Sequence, residues 1–264
     1  MTAAIFTQLF IKELDTGIWL LTLNRPKTLN ALNLNVLEQI SSAIRWIEAQ
    51  PAARVVLMTG KGEEAFTTGE DINQMKEMTA LQARAFSKTG METMHAVESS
   101  RLPVIALING YCLGGGCELA MSCDFILASE HAVFGQPGVA LGISPGFGGS
   151  QRLARQVGPG MASQLLLTGE QIPAEEACRI GLCNQVLPAG ELLARGLELA
   201  QKIAANAPQA VAFSKSLVNS ARDMSIENGC RMETDLFSLC FTTEDQKEGM
   251  SAFKDRRKAL FTGR

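Results

Sequence analysis

The chain has 264 residues, of which 46% are hydrophobic, and its formal net charge is −3. This composition excludes a disordered chain, and no basic run indicates binding to nucleic acid or to an anionic membrane. No apolar stretch reaches the roughly 18 residues of a membrane span, and the N-terminal MTAAIFTQLF lacks the pattern of a signal peptide. We therefore expect a cytoplasmic globular protein.

Four apolar runs in the first half of the chain predict buried strands. They are β-branched or apolar, and turn residues bound them. They cover residues 17–24, 54–60, 103–110 and 124–130. Residues 33–50 and 81–100, between these runs, have the apolar spacing of helices. Alternation of strands and helices favours an α/β core that is wound repeatedly in one hand.

The strands are predicted to stop after about residue 190, and the remaining chain has helical periodicity. Pro208 suits the first turn of one helix, and Thr243 suits the N-cap of another. The sequence therefore predicts two regions: an α/β core over residues 1–190, and a helical region over residues 191–264. We expect the helical region to form a lid or an oligomer interface.

Cysteine and histidine usage predicts no metal centre. The seven cysteines include no CxxC pair, and several lie in apolar segments, as buried hydrophobic residues do. The two histidines, His95 and His131, are too few for a histidine-rich metal cluster.

A glycine-rich stretch, LGGGCELAMSCD, follows the predicted strand at 103–110 and opens an apolar helix. Glycines at a helix N-terminus expose backbone N–H groups to a ligand. Gly115 and Glu118 are three residues apart and so share one helix face. That face offers a donor for a negative oxygen beside a proton-transfer group. The pattern alone is equally consistent with tight helix packing and a structural ion pair at Glu118.

Five motifs resemble those of the enoyl-CoA hydratase/isomerase (crotonase) superfamily, in the same order along the chain. They are LNRPKTLNAL (23–32), AFTTGEDI (65–72), NGYCLGGGCELAMSCD (109–124), FGQPGVALGISPGFGGSQRL (134–153) and EGMSAFKDRRKALF (248–261). The resemblance implies an α/β fold, a spiral of repeated ββα turns with a helical C-terminal trimerisation region. It also implies homotrimers or homohexamers, and an acyl-CoA substrate with no further cofactor.

The resemblance implies roles for particular residues. The backbone N–H groups of Glu70 and Gly115 would form an oxyanion hole for a thioester carbonyl, and Glu118 would be the catalytic carboxyl. Lys27 and Arg256 would meet the CoA phosphates, and Phe237 would lie near the CoA or acyl group. Asn73 departs from the pattern, because the family often has lysine there beside the adenine.

The largest departure is Gly138, at the position where a typical hydratase of this family has its second glutamate. Glycine cannot carry a proton or orient water. Three explanations stay open: hydration with another carboxylate such as Glu70, Asp71 or one from the helical tail; one-base chemistry such as double-bond isomerisation or decarboxylation; or space for a bulkier acyl group. Hydratase/dehydratase chemistry through Glu118 is the preferred interpretation. A non-catalytic acyl-CoA-binding protein is the alternative from a different class.

Overall fold

The computed structural model describes residues 6–264, and its largest element is a six-stranded sheet. The strands of this sheet are β1 (Leu9–Asp15), β2 (Ile18–Leu23), β3 (Val55–Gly60), β5 (Val104–Ile108), β7 (Phe125–Ser129) and β10 (Gln185–Leu187), in the order β1-β2-β3-β5-β7-β10. Strand β1 is antiparallel to β2, and the other neighbours are parallel. All four predicted strands are confirmed.

A second sheet has four short strands, β4 (Ala65–Thr67), β6 (Tyr111–Leu113), β8 (Val133–Gly135) and β9 (Gln171–Pro173), in that order. After β3, β5 and β7, the chain leaves the large sheet, adds one strand to the small sheet and then enters a helix. This confirms the fold of repeated ββα turns. The carboxyl ends of β4, β6 and β8 come together in the small sheet, since these three strands are parallel.

The helices fill the space around both sheets. They are α1 (Leu34–Glu48), α2 (Ile72–Met75), α3 (Ala80–Glu98), α4 (Gly115–Ser122), α5 (Gly149–Val157), α6 (Pro159–Thr168), α7 (Ala174–Arg179), α8 (Leu192–Ala204), α9 (Pro208–Ser220), α10 (Ile226–Cys240) and α11 (Glu244–Lys254). Short 3₁₀ helices cover Pro26–Thr28, Pro137–Leu141 and Ala189–Glu191. None of the helices within residues 6–264 is both long and apolar enough to cross a membrane.

The large sheet is buried on both faces. Val56 and Met58 of β3 belong to the main core, which includes α1 and α3. Val55 and Leu57 alternate with them and pack in a second cluster with residues of α8. Burial on both faces explains why the central strands read as continuous apolar runs rather than as alternating ones.

The C-terminal region is helical, as predicted. Pro208 is the first residue of α9, and the Thr243 side chain caps α11 by accepting a hydrogen bond from the Gln246 N–H at 3.1 Å. The predicted helical structure does not continue to the end of the chain, because α11 ends at Lys254 and Arg256 adopts a left-handed φ of 55°. The predicted boundary between the two regions, at residue 190, lies just before α8, and α8 packs on the large sheet. The division of the chain into two regions stays a prediction.

One buried ion pair attaches α9 to the core. Lys215 lies on α9, and its ammonium group is 2.9 Å from Asp124 Oδ2, with the two side chains 5% and 18% exposed. The ammonium group also donates to the carbonyl oxygens of Val97 and Leu102. Asp124 follows the end of α4, so the pair joins the C-terminal region to the helix that carries Glu118.

Candidate active site

Helix α4 begins at Gly115, directly after β6, and its start is packed closely against neighbouring backbone. Gly114, the N-cap, has a left-handed φ of 49°. A Cβ atom on Gly116 would lie 2.4 Å from the Thr67 carbonyl oxygen, and one on Gly115 would lie 2.9 Å from the Phe147 ring. Glycine is therefore required for this approach. The prediction that the glycines open a helix is confirmed.

Glu118 lies one turn into α4, and none of its surface is exposed. Its Oε1 accepts hydrogen bonds from the N–H groups of Phe147 at 2.8 Å and Gly149 at 2.5 Å. Its Oε2 is buried and has no hydrogen-bond partner among the described residues. Glu118 makes no ion pair with a basic side chain there, so the structural ion pair considered for it is absent from residues 6–264.

The environment raises the pKa of Glu118 to about 7. Burial is the main cause, because the ionised form loses its hydration, and the negative charge of Glu70 adds to the effect. The two backbone N–H donors and the charge of Arg152 act in the opposite direction. A carboxyl group with this pKa changes protonation state near neutral pH, as a general acid or base must.

Glu70 lies beside the start of α4, at the end of the loop that follows β4. Gly69, with a left-handed φ of 90°, is so close to α4 that a Cβ atom there would lie 3.0 Å from the Gly115 nitrogen. Two backbone hydrogen bonds join this loop to the segment that carries Leu32. The Leu32 N–H donates to the Gly69 carbonyl oxygen at 2.7 Å, and the Asp71 N–H donates to the Leu32 carbonyl oxygen at 2.9 Å. The Glu70 N–H has no hydrogen-bond acceptor among the described residues. The structure thus brings the Glu70 and Gly115 backbones together.

The side chain of Glu70 turns towards the start of α4. Its Oε2 accepts a hydrogen bond from the Gly115 N–H at 2.9 Å. The carboxylate therefore occupies one of the two backbone donors that the family resemblance assigns to a thioester carbonyl. No sequence pattern signals this orientation, because it depends on the approach of two segments that lie 45 residues apart.

Asp71, the other acidic residue of this loop, is committed to structural contacts. Its Oδ2 forms an ion pair with Arg25 at 2.9 Å, and its Oδ1 caps α2 by accepting from the Asn73 N–H at 3.1 Å. Asn73 itself is exposed. These contacts leave Asp71 poorly suited to replace the missing glutamate.

Gly138 lies in the 3₁₀ helix Pro137–Leu141. Its φ is not left-handed, and a Cβ atom there would lie 3.1 Å from the Ile143 carbonyl oxygen. Gln136, just before this helix, is buried and donates from Nε2 to the Gly114 carbonyl oxygen at 3.3 Å. The segment that carries Gly138 is thereby attached to the start of α4.

Phe147, Gly149 and Arg152 contribute to the site but were not singled out from the sequence. The first two donate the backbone hydrogen bonds that hold Glu118, and Gly149 is the first residue of α5. Arg152 donates to the Phe147 carbonyl oxygen at 3.0 Å and forms an ion pair with Glu98 at 2.9 Å. The run GFGG ahead of a helix was the available signal for exposed backbone donors.

The three expected CoA-binding side chains lie on the surface. Lys27 is exposed in the 3₁₀ helix Pro26–Thr28, in the segment that continues to the Leu32–Glu70 bridge. Phe237, on α10, is 65% exposed, and its ring centroid lies 5.2 Å from that of Phe241. Arg256 is exposed after α11. Within residues 6–264, none of the three forms a hydrogen bond with Glu118 or with the residues that hold its carboxyl group. Their roles in CoA binding stay predictions.

Metal-ligating side chains do not cluster in the part of the chain that the structure describes. Its cysteines are free, and Cys112, Cys117, Cys123 and Cys183 are buried. Burial raises the pKa of the Cys112 and Cys123 thiols, which keeps them in the neutral form.

The spiral of ββα turns, with a buried carboxyl group one turn into a glycine-opened helix, is the crotonase fold. A solved structure, the enoyl-CoA hydratase from Bacillus anthracis, superimposes with a TM-score of 0.95 and 36% identity, covering 98% of this chain and 100% of that one. The family model described as enoyl-CoA hydratase/isomerase matches residues 13–264. The chain belongs to the enoyl-CoA hydratase/isomerase family.

Two curated relatives are more similar in sequence. The crotonyl-CoA hydratase of Syntrophomonas wolfei is 47% identical over 251 residues, which cover 95% of this chain and 96% of the relative. The short-chain-enoyl-CoA hydratase of Clostridium acetobutylicum is 47% identical over 248 residues, which cover 94% and 95%.

Proposed function

We propose that the protein adds water across the double bond of short-chain 2-enoyl-CoA thioesters, and that it catalyses the reverse dehydration. The observation that carries this proposal is the buried Glu118 carboxyl group, with one oxygen unpartnered among the described residues and a pKa of about 7, on the helix that begins at Gly115. The short-chain substrate class is taken from the names of the two relatives at 47% identity.

In this mechanism the thioester carbonyl oxygen accepts hydrogen bonds from the backbone N–H groups of Glu70 and Gly115. Both donors withdraw electron density, so that the β-carbon becomes open to attack by water. The enolate that forms is stabilised at the same place, where one donor of this kind typically contributes roughly 2.7–4 kcal/mol. Glu118 carries a proton to or from the α-carbon. Lys27 and Arg256 neutralise CoA phosphates, Phe237 contacts the CoA or acyl group, and no cofactor is required.

One-base isomerisation or decarboxylation is the second candidate, and Gly138 is the observation that favours it. Both reactions form an enolate that needs the same donors and only one proton-transfer group. A pure acyl-CoA-binding protein is disfavoured, because it would have no use for a fully buried carboxyl group with an unpartnered oxygen.

Hydration of crotonyl-CoA by the purified protein tests the proposed function. We expect 3-hydroxybutyryl-CoA to form rapidly, and free crotonate to be neither bound nor hydrated, because the acid lacks the polarisable thioester and the CoA phosphates. Chromatography of the CoA thioesters with mass detection measures the product. A protein that binds crotonyl-CoA but yields only a double-bond isomer would contradict hydration and support the second candidate.

Self-association as a homotrimer or homohexamer is also proposed. Large apolar side chains are exposed in the C-terminal region, including Ile226 of α10 at 86%, Phe253 of α11 at 88%, and Leu260, after α11, at 73%. Exposed apolar surface of this kind is typical of an interface. Sedimentation at micromolar concentration is expected to give about three or six times the mass of one chain. A monomer would remove the proposal.

A further inference from the structure

Hydration requires two proton transfers, and Glu118 is restricted to one available oxygen. As the water oxygen bonds to the β-carbon, it must lose a proton, and the α-carbon must gain one. Glu118 Oε1 is held by the N–H groups of Phe147 and Gly149, which leaves Oε2. A single oxygen cannot take a proton from the water and deliver another to the α-carbon at the same time. A second group is therefore needed if the two transfers are concerted.

The acidic residues around Glu118 differ in how they are engaged. Asp71 is paired with Arg25 and caps α2. Glu98 is paired with Arg152 at 2.9 Å and with Arg222 at 2.8 Å. Glu70 has no basic partner within residues 6–264, and its carboxylate accepts the Gly115 N–H. A substrate can therefore displace the Glu70 carboxylate from the Gly115 N–H without breaking an ion pair.

The two carboxyl groups converge on the same small region. A Cβ atom on Gly115 would lie 3.0 Å from the Glu70 carboxyl carbon and 2.9 Å from the Phe147 ring. The backbone of Phe147 donates to Glu118. The two carboxyl groups are also close enough for the charge of Glu70 to raise the pKa of Glu118.

We propose that the Glu70 carboxylate is the second catalytic group of this enzyme and takes the role that Gly138 cannot. In the free protein it rests on the Gly115 N–H. When the thioester carbonyl oxygen takes that hydrogen bond, the carboxylate is released into the pocket. It removes a proton from the water whose oxygen bonds to the β-carbon, while the Glu118 carboxyl group gives its proton to the α-carbon. Glu70 then releases its proton to solvent and Glu118 takes one up, which restores both groups.

This inference rests on the proposed hydration, and two variants of Glu70 test it. Glu70→Ala and Glu70→Gln remove the basic group but keep the backbone N–H of residue 70. We expect kcat for crotonyl-CoA hydration to fall by about 10² or more in both, the usual contribution of a positioned acid or base. Glu64→Gln is the matched control, because Glu64 is an exposed glutamate ahead of β4 in the same connection. Its kcat should equal that of the wild type.

A rescue experiment separates a missing carboxylate from a disturbed loop. Gly138 does not have a left-handed φ, so its backbone can carry a glutamate once the Ile143 carbonyl oxygen, 3.1 Å from the new Cβ atom, moves by a few tenths of an ångström. Adding Gly138→Glu to Glu70→Ala is expected to raise kcat at least 10-fold above Glu70→Ala alone. Thermal melting and calorimetry with butyryl-CoA check that each variant folds and binds. A double variant no faster than Glu70→Ala would contradict the proposal.

The split between kcat and KM identifies the opposing result. If Glu70 only obstructs the Gly115 N–H, removal of its side chain should lower KM and leave kcat unchanged. This outcome would overturn the catalytic role of Glu70, but it would leave the proposed hydration by the wild type intact. A wild type that hydrates no enoyl-CoA overturns the proposed function, and the inference with it. A loss of kcat in both variants, with normal butyryl-CoA binding, supports the assignment.

Discussion

Replacing Glu118 with glutamine is expected to lower kcat for crotonyl-CoA hydration by roughly 10² or more, with little change in thioester binding. Glutamine keeps the shape of the glutamate side chain, and its amide oxygen can accept hydrogen bonds from the N–H groups of Phe147 and Gly149. It cannot give or take the proton at the α-carbon. Steady-state kinetics and calorimetry with butyryl-CoA measure the two properties separately, with Glu64→Gln as control. Retention of most of the activity would show that Glu118 has a structural role.

The same variant is expected to change the dependence of stability on pH. The folded-state pKa of Glu118, about 7, is above its ordinary value of 4.5, so the folded protein binds this proton more tightly than the unfolded chain. The free energy of unfolding should therefore fall as pH rises from about 4.5 to about 7, by about 2–3 kcal/mol for this group. Glu118→Gln removes that fall. Its stability relative to the wild type should be higher at pH 8 than at pH 5, measured by urea unfolding.

Replacing Lys215 with methionine is expected to give the largest loss of stability outside the site. The change leaves the Asp124 carboxylate buried without its cation, and breaking a buried ion pair in this way typically costs about 3–5 kcal/mol. Burial already raises the pKa of Asp124, and Lys215 opposes that rise. Without Lys215 the pKa should rise further, so the loss should be greatest at neutral pH and shrink under acidic conditions, where the carboxyl group is protonated.

Urea unfolding at a fixed protein concentration measures this loss. Adding Asp124→Asn to Lys215→Met is the control, because the amide oxygen can still accept the Val104 N–H that Asp124 Oδ2 accepts at 2.6 Å. The double variant should recover part of the lost free energy. A single variant within about 1 kcal/mol of the wild type would mean that the pair adds little to the attachment of α9, as exposed pairs do.

The sequence predicted the parts of the fold in which local pattern and burial agree. The runs of β2, β3, β5 and β7 are continuous and apolar because the large sheet is covered on both faces. The three-residue strands of the small sheet are too short to show any period. The end of α11 was also missed, because it is set by tertiary contacts: Arg257 pairs with Glu248 at 2.6 Å, and the Leu260 N–H donates to the same carboxylate at 2.9 Å.

At the site, the glycine-rich pattern indicated Gly115 and Glu118, and the family resemblance added Glu70, but neither indicated how the three are arranged. The glycine-rich run indicated a helix start with free donors, which is a local property. The contact of the Glu70 side chain with Gly115 depends on the bridge between Leu32 and Glu70, which no local pattern encodes. The backbone donors Phe147 and Gly149 were missed for the same reason, since their partner lies about 30 residues earlier in the chain.

The decisive measurement is the structure of the protein with 3-hydroxybutyryl-CoA bound. We expect the thioester oxygen to accept hydrogen bonds from the N–H groups of Glu70 and Gly115, at about 2.7–3.1 Å. We also expect Glu118 Oε2 to lie beside the α-carbon, and the Glu70 carboxylate to have left Gly115 and to contact the 3-hydroxyl group. A thioester bound elsewhere, with Glu70 still on the Gly115 N–H, would contradict the proposed mechanism.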